Sequence, residues 1–311
     1  MSSLLPVVLL ILMGSVAGKA KLMRPESVRD LSNLVFLVLT PALLFRTMSS
    51  VHLERLDMRP VFQYFLVAAV LFFAMLVAYG RDSRASVLAL AGIFSNTLMI
   101  GVPLISLAYG EAGQVLLFTL ISLHALLLLT MATVVLELQM ASEQAAASGQ
   151  KGQLWRTVGQ AIRSAVLHPV PLPIIVGLLY AQTGWGLHPV IDKPLQLLGS
   201  AFGPIALVLV GITLSQTPVG KNLSAVVRLS LVKTVLHPAL MLAVGWALGM
   251  RGLALSVMVV VAALPIGANV FLFSQRYHKA EDTVTAAVAI STLMALLGIS
   301  LAMALLTLLP A

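Results

Sequence analysis

Long apolar runs separated by short polar connections make up most of this chain. They lie near 4–20, 30–48, 61–80, 86–109 and 113–137, and again near 169–184, 194–215, 225–248, 253–276 and 283–308. About 20 helical residues cross the hydrocarbon core of a bilayer, so the pattern predicts ten transmembrane spans. The longest polar connection, Ala141-Ser142-Glu143-Gln144-Ala145-Ala146-Ala147-Ser148-Gly149 with its flanks, falls between the fifth and sixth runs. It reads as a flexible linker over 139–163, between a first five-helix repeat at 1–138 and a second at 164–311. Five is odd, so the second repeat enters the membrane in the opposite sense to the first.

Two runs carry helix breakers and polar residues at their middles. One is Phe94-Ser95-Asn96-Thr97-Leu98-Met99-Ile100-Gly101-Val102-Pro103 in the fourth span; the other is Ala263-Leu264-Pro265-Ile266-Gly267-Ala268-Asn269-Val270-Phe271 in the ninth. Hydrocarbon holds no water for a freed N–H or C=O, so an interruption survives there only against protein or a wet cavity. Interruptions at matching places in two halves point to the substrate site of a transporter. The expected fold is therefore an all-α polytopic membrane protein, with ten transmembrane helices in two inverted five-helix repeats and crossed broken helices 4 and 9.

A weak internal repeat agrees with that division. Gly14 and Gly177 occupy like places in spans one and six, and Thr40-Pro41 and Gly203-Pro204 in spans two and seven. Tyr109-Gly110-Glu111-Ala112 and Tyr277-His278-Lys279-Ala280 follow the two interrupted spans.

Composition fits a membrane protein: 59% of the 311 residues are apolar, 10% are charged and the mean hydropathy is +1.03. A soluble domain is about 25% charged. The net charge of +8 reads as topogenic charge rather than a nucleic-acid surface. With the N-terminus outside, Lys19, Lys21, Arg24, Arg29, Arg81, Arg84, Lys151, Arg156, Arg163, Lys221, Arg228, Arg276 and Lys279 face the cytoplasm, 13 of the 19 basic residues. The positive-inside rule then places both termini outside an inner (cell) membrane. The first run ends at Gly18-Lys19 and begins without a basic stretch, so it reads as a span and not as a cleaved leader.

At the interruptions, half-helix N-termini with free N–H groups and partial positive charge suit a carboxylate. Ser95, Asn96, Thr97, Gly101, Gly267 and Asn269 are the candidate substrate-binding positions, and Pro103 and Pro265 the candidate breaks. Intramembrane ionisable residues add a few more. His124 lies midway along span five and could hydrogen-bond an anion, take a proton, or simply bond a neighbouring carbonyl. His237 precedes Pro238 in span eight and shares a helix face with Lys233, which is expected to snorkel to the cytoplasmic surface. Arg46 is expected at the outer interface. No Asp or Glu lies at the centre of any span, which argues against sodium–proton exchange and leaves room for a carboxylate brought by the substrate.

The chain lacks cysteine, a His-Glu-x-x-His zinc motif, Gly-x-Ser-x-Gly and paired intramembrane aspartates. It therefore offers no catalytic or metal-ligating set for a membrane enzyme. A membrane sensor is a further alternative, and so is a sodium-coupled organic-anion symporter of the bile-acid type. The partners expected are a small carboxylate and the lipid bilayer. No cofactor is called for, and H+, Na+ or the membrane potential alone could drive transport.

Ser95-Asn96-Thr97-Leu98-Met99-Ile100-Gly101-Val102-Pro103-Leu104, ending in Ala108-Tyr109-Gly110, resembles the fourth-span motif of the auxin efflux carrier family. Ala262-Ala263-Leu264-Pro265-Ile266-Gly267, ending in Phe273-Ser274-Gln275-Arg276-Tyr277, is similar to its ninth-span motif, and Thr40-Pro41-Ala42-Leu43-Leu44-Phe45 to its second-span element. The resemblance implies inverted five-helix repeats, a scaffold and a transport domain, crossed broken helices and, in many members, a homodimer. It makes Asn96 the substrate-facing asparagine, and Pro41, His168 and His237 are added as candidate supporting positions. His168-Pro169-Val170-Pro171-Leu172-Pro173 resembles the malonate carriers of the family. His124 stands where plant carriers have a glutamine, and Val170 replaces an asparagine, a departure that speaks against auxin as substrate.

Overall fold

A chain segment in hydrocarbon must pair its own backbone groups, and the α-helix does so within one segment. The computed structural model describes residues 4–50, 57–148, 171–216 and 223–308, and these are helical apart from short connections and one isolated bridge. In chain order the helices are α1 (Leu4–Lys19), α2 (Pro25–Leu34), α3 (Thr40–Met48), α4 (Arg59–Tyr79), α5 (Ser83–Ile93), α6 (Val102–Ser148), α7 (Pro171–Ala181), α8 (Pro189–Gln216), α9 (Leu223–Leu231), α10 (His237–Ala247), α11 (Gly252–Ala263), α12 (Ala268–Tyr277) and α13 (Glu281–Thr307). Among the described residues, six helical stretches are long and apolar enough to cross a membrane: Glu26–Met48, Arg59–Tyr79, Thr97–Met140, Pro189–Gln216, Leu223–Ala247 and Glu281–Thr307. Leu5–Lys19, Ser83–Ile93, Leu172–Ala181 and Gly252–Ala263 are shorter apolar helices.

Along α4, Phe62, Leu66, Val70, Phe73 and Val77 are exposed while Tyr64, Ala68, Phe72 and Met75 are buried. Spacings of three and four place each set on one face of the helix. The outer face is as apolar as the inner one, as a lipid-facing surface requires. Outside the membrane, the Asp57 side chain accepts hydrogen bonds from the Arg59 backbone N–H and guanidinium just where α4 begins, and the guanidinium holds its carboxyl below the usual range.

Three π turns share one cause. Val35–Leu39, Thr97–Gly101 and Val232–Leu236 each end two residues before a proline: Pro41, Pro103 and Pro238. A proline lacks the N–H and its ring collides with the carbonyl four residues back. Widening the preceding turn relieves the collision without ending the helix. Hydroxyls satisfy carbonyls around these turns: Thr40 Oγ1 donates to Val35 O and Thr234 Oγ1 to Ser230 O, each at 2.8 Å.

The described helices fall into two compact units. The first holds residues 1–61, 97–123 and 167–217. Here α1 packs along α8, and α3 against both α7 and α8. Close approach depends on glycine: a Cβ on Gly14 would overlap the Val208 carbonyl, and one on Gly211 the Ile11 carbonyl. Gly177 of α7 lies as tightly on α3, where a Cβ would stand 2.8 Å from Phe45 O. Arg46 is tied to Asp192 by Nε–Oδ1 and Nη2–Oδ2 hydrogen bonds of 2.7 and 3.1 Å.

The second unit holds residues 62–96, 124–166 and 218–311. Its core gathers Phe72 and Met75 of α4, Val87 to Ile93 of α5, Leu128, Ala132 and Leu136 of α6, and Ala286 and Ala287 of α13. In it α9 packs on α13, and α10 and α11 on each other. Residues 139–148, expected as flexible linker, continue α6 as helix. The run from Gln139 to Ser148 contains no proline or glycine and three consecutive alanines, so its propensity is helical. It also has partners. Glu143 accepts from Ser83 N (2.8 Å) and Ser83 Oγ (3.0 Å), and Ser86 Oγ donates to Gln139 Oε1. Gly110, at φ 61° and ψ −154°, breaks the regular path within the long α6.

Replacing Gly14 by valine should separate α1 from α8. Overpacking of this kind costs about 1–3 kcal/mol, and the thermal midpoint of the detergent-purified protein should fall by several degrees. An unchanged midpoint would contradict the close contact.

Candidate functional site

In the second unit the two sequence-flagged segments meet. Helix α5 ends at Ile93, α11 ends at Ala263, and Ser95 and Ile266 form an antiparallel bridge. Asn96 N donates to Pro265 O and Gly267 N to Phe94 O, both at 2.9 Å. A Cβ at Gly267 would come within 2.9 Å of the Phe94 ring and 3.0 Å of Ser95 O, so the crossing needs glycine at this point.

Several other backbone groups at the crossing are met by side chains. Ser95 Oγ donates to Val261 O at 2.8 Å, and Ile266 N donates to Ser291 Oγ of α13 at 3.1 Å. Lys233 Nζ donates to Ala262 O at 2.5 Å and Leu264 O at 2.7 Å. The expectation that Lys233 snorkels to the surface is therefore wrong: its side chain is fully buried. Pro238 sets the π turn that carries Lys233, and two convergent carbonyls at the end of α11 give the amine a destination nearer than water.

Behind the bridge lies a cluster of buried polar rings. The Tyr64 hydroxyl of α4 is 3.1 Å from Ser95 Oγ; because that oxygen already donates to Val261 O, the tyrosine is the donor. The Tyr64 ring lies 5.5 Å from the His237 ring and 6.0 Å from that of His124, and Phe94 meets His124 edge-on at 4.5 Å. Both histidines are buried, and among the described residues Nε2 of His124 and both nitrogens of His237 have no hydrogen-bond partner. Such groups cost about 1–3 kcal/mol each when left unmet.

The sequence-flagged residues are thus distributed unequally. Ser95, Asn96, Pro265, Gly267, Asn269, His124 and His237 belong to the second unit, and the first five lie at or beside the bridge. Asn96 and Asn269 are half-buried. Thr97 and Gly101 are buried in the π turn that follows Asn96 and belong to the first unit, as do Pro41 and Pro103. Pro103 does not make the interruption; the non-helical residues are 94–96, and Pro103 sits inside the first turn of α6. An N–H missing from a helix's first turn has no intrahelical partner to lose. His168 lies outside the described residues.

Sequence reasoning passed over Tyr64 and Ser291, whose hydroxyls sit among apolar neighbours without a local motif. The first unit has its own cavity of about 450 Å³, lined among others by Arg46, Thr47, Pro103, Ser106, Gln114 and Gln196. With Asp192 on its guanidinium, Arg46 there is a paired charge and not a free anion hook.

Chemically, the second-unit arrangement offers hydrogen-bond donors rather than reactive groups. Helix α12 begins one residue after Gly267, so its first N–H groups and the amides of Asn96 and Asn269 are gathered near one crossing. Among the described residues no group of three or more His, Cys, Asp or Glu side chains could hold a metal ion.

A family described as "Membrane transport protein" matches residues 1–303. Auxin efflux carrier component 8 of Arabidopsis thaliana is 24% identical to the chain, covering 90% of it and 89% of the relative. The "Putative malonate transporter" of Rhizobium meliloti is 25% identical over 86% of this chain and 84% of its own. The uncharacterized transporter YfdV of Escherichia coli is 23% identical, with coverage of 93% and 92%.

Replacing Ser95 by alanine removes the donor to Val261 O and the acceptor for Tyr64. A loss of about 1–3 kcal/mol is expected, read as a lower thermal midpoint, whereas Ser95→Thr, which keeps the hydroxyl, should recover part of it.

Proposed function

We propose that this chain, which belongs to the auxin efflux carrier family of membrane transport proteins and not to a family of enzymes, moves a small organic carboxylate across the membrane by alternating access. The observation that carries this reading is the crossing at Ser95 and Ile266. It puts the start of α12 and the side chains of Asn96 and Asn269 beside one non-helical point in an otherwise apolar protein. Donors without fixed negative charge suit a carboxylate, which accepts hydrogen bonds and needs positive potential. Thr97 and Gly101, one and five residues after Asn96 in the chain, are the further positions of the proposed set.

The same reading takes the chain as ten spans in two inverted repeats, with both termini outside. The paired roles of glycine support it. Gly14 in span one lies tight against α8, and Gly177 in span six lies tight against α3. Under a two-fold relation between the halves, span one on span seven and span six on span two are equivalent contacts. A malonate-like dicarboxylate is the substrate class we favour. A relative bearing that name supports it, as does the absence of an acidic side chain at the centre of any span to repel a second carboxylate.

Uptake of malonate, malate and indole-3-acetate into proteoliposomes tests the reading. Wild-type protein should accumulate at least one of them, and Asn96→Ala should lower that uptake more than tenfold at unchanged protein level. Full uptake in the mutant would remove Asn96 from the site.

A further inference from the structure

Lys233 is a buried amine whose hydrogen-bond partners among the described residues are backbone carbonyls. Its amine meets Ala262 O and Leu264 O, while the neighbouring Val261 O is taken by Ser95 Oγ. Among the described residues no carboxylate pairs with it. The titratable rings clustered near it are Tyr64, His124 and His237, and none of them supplies a negative charge at neutral pH; Glu281 and Asp282, the acids of the packed helix α13, lie in its first turn and form no ion pair with the amine. What the amine neutralises is therefore the end of α11. The last carbonyls of a helix carry partial negative charge. Here two of them, either side of the residue where the chain turns out of helix, aim at one point. Converging carbonyls at the C-terminal end of a half-helix form the ligand set that holds a mobile coupling cation in carriers built on interrupted helices. Lysine delivers an ammonium to that point on a covalent tether, and the π turn before Pro238 fixes where the tether starts.

We propose that Lys233 is a built-in cation that takes the place of a mobile one at the α11 terminus, so that this carrier works without sodium. The proposal rests on the transport reading above, and it separates this chain from sodium-coupled symporters of similar architecture. The Nζ group contributes what a bound Na+ would: it screens the carbonyls and holds residues 262–264 in the course that lets 265–267 pair with 94–96. A tethered ion cannot leave with the substrate, and so it stores no gradient energy.

Thermal unfolding of purified wild type and Lys233→Ala in sodium, methylammonium and choline chloride tests this without reference to substrate. The wild-type midpoint should be the same in all three salts. The variant should unfold several degrees lower in choline and recover by about 3 °C or more in sodium or methylammonium, ions small enough to enter the vacated space and bind only the folded state. Lys233→Ser, which also vacates the space, carries the same comparison if the alanine variant cannot be purified. A sodium-dependent wild-type midpoint, or variants that lose stability and respond to no cation, would overturn the proposal. In proteoliposomes, wild-type malonate uptake should be equal in sodium and choline media, and strict sodium dependence would also overturn it. Absence of uptake of any carboxylate would instead count against the transport reading and leave the unfolding comparison to judge Lys233.

Discussion

Backbone groups freed at an interruption inside a membrane protein must find partners without water, and the second unit is organised around meeting that demand. Four chain segments contribute. The two non-helical stretches pair with each other through Asn96 N and Gly267 N. Ser95 and Ser291 supply an acceptor or donor each, and Lys233 reaches across to the last carbonyls of α11. Gly267 permits the close approach, and a larger residue would separate the strands that make the pairing. The crossing is thus held from several directions, which is how an interruption persists when helix is the default.

Prolines make the second contribution. Three of them widen the turn ahead of them and leave the helix running, and around two of these turns the hydroxyls of Thr40 and Thr234 bond backbone carbonyls. Pro238 places Lys233 and His237 against the core, and Pro103 follows the turn that holds Thr97. The result adds polar groups to an interior that is largely aliphatic and aromatic. Tyr64, His124 and His237 stand together behind the bridge, with three histidine nitrogens unpartnered among the described residues. Buried polar groups left unmet inside a membrane are costly, and three such atoms stand beside the crossing.

Close helix packing gives the first unit a different character. Its charged pair Arg46–Asp192 is partly exposed, and small residues bring α1 to α8 and α7 to α3. Small residues serve this purpose in membranes because association there relies on van der Waals contact rather than on expelling water.

What the amino-acid order settled was local. Apolar runs fixed the helices, and Pro265, Gly267 and Asn96 marked stretches unable to remain regular. The charge pattern and the motifs around residues 95–104 and 262–277 were enough to suggest the family. Pro103 misled, since a proline near a helix start is compatible with helix and the residues that leave it are 94–96. The alanine-rich connection after Gln139 misled as well, because polarity suggested a linker where propensity and the partners of Glu143 favour helix. Only the tertiary structure decided which groups answer one another. Val261 O is served from 166 residues away, and Ala262 O from 29. No local pattern encodes such pairings, because a freed carbonyl in hydrocarbon takes whichever donor the packing of distant helices brings within about 3 Å.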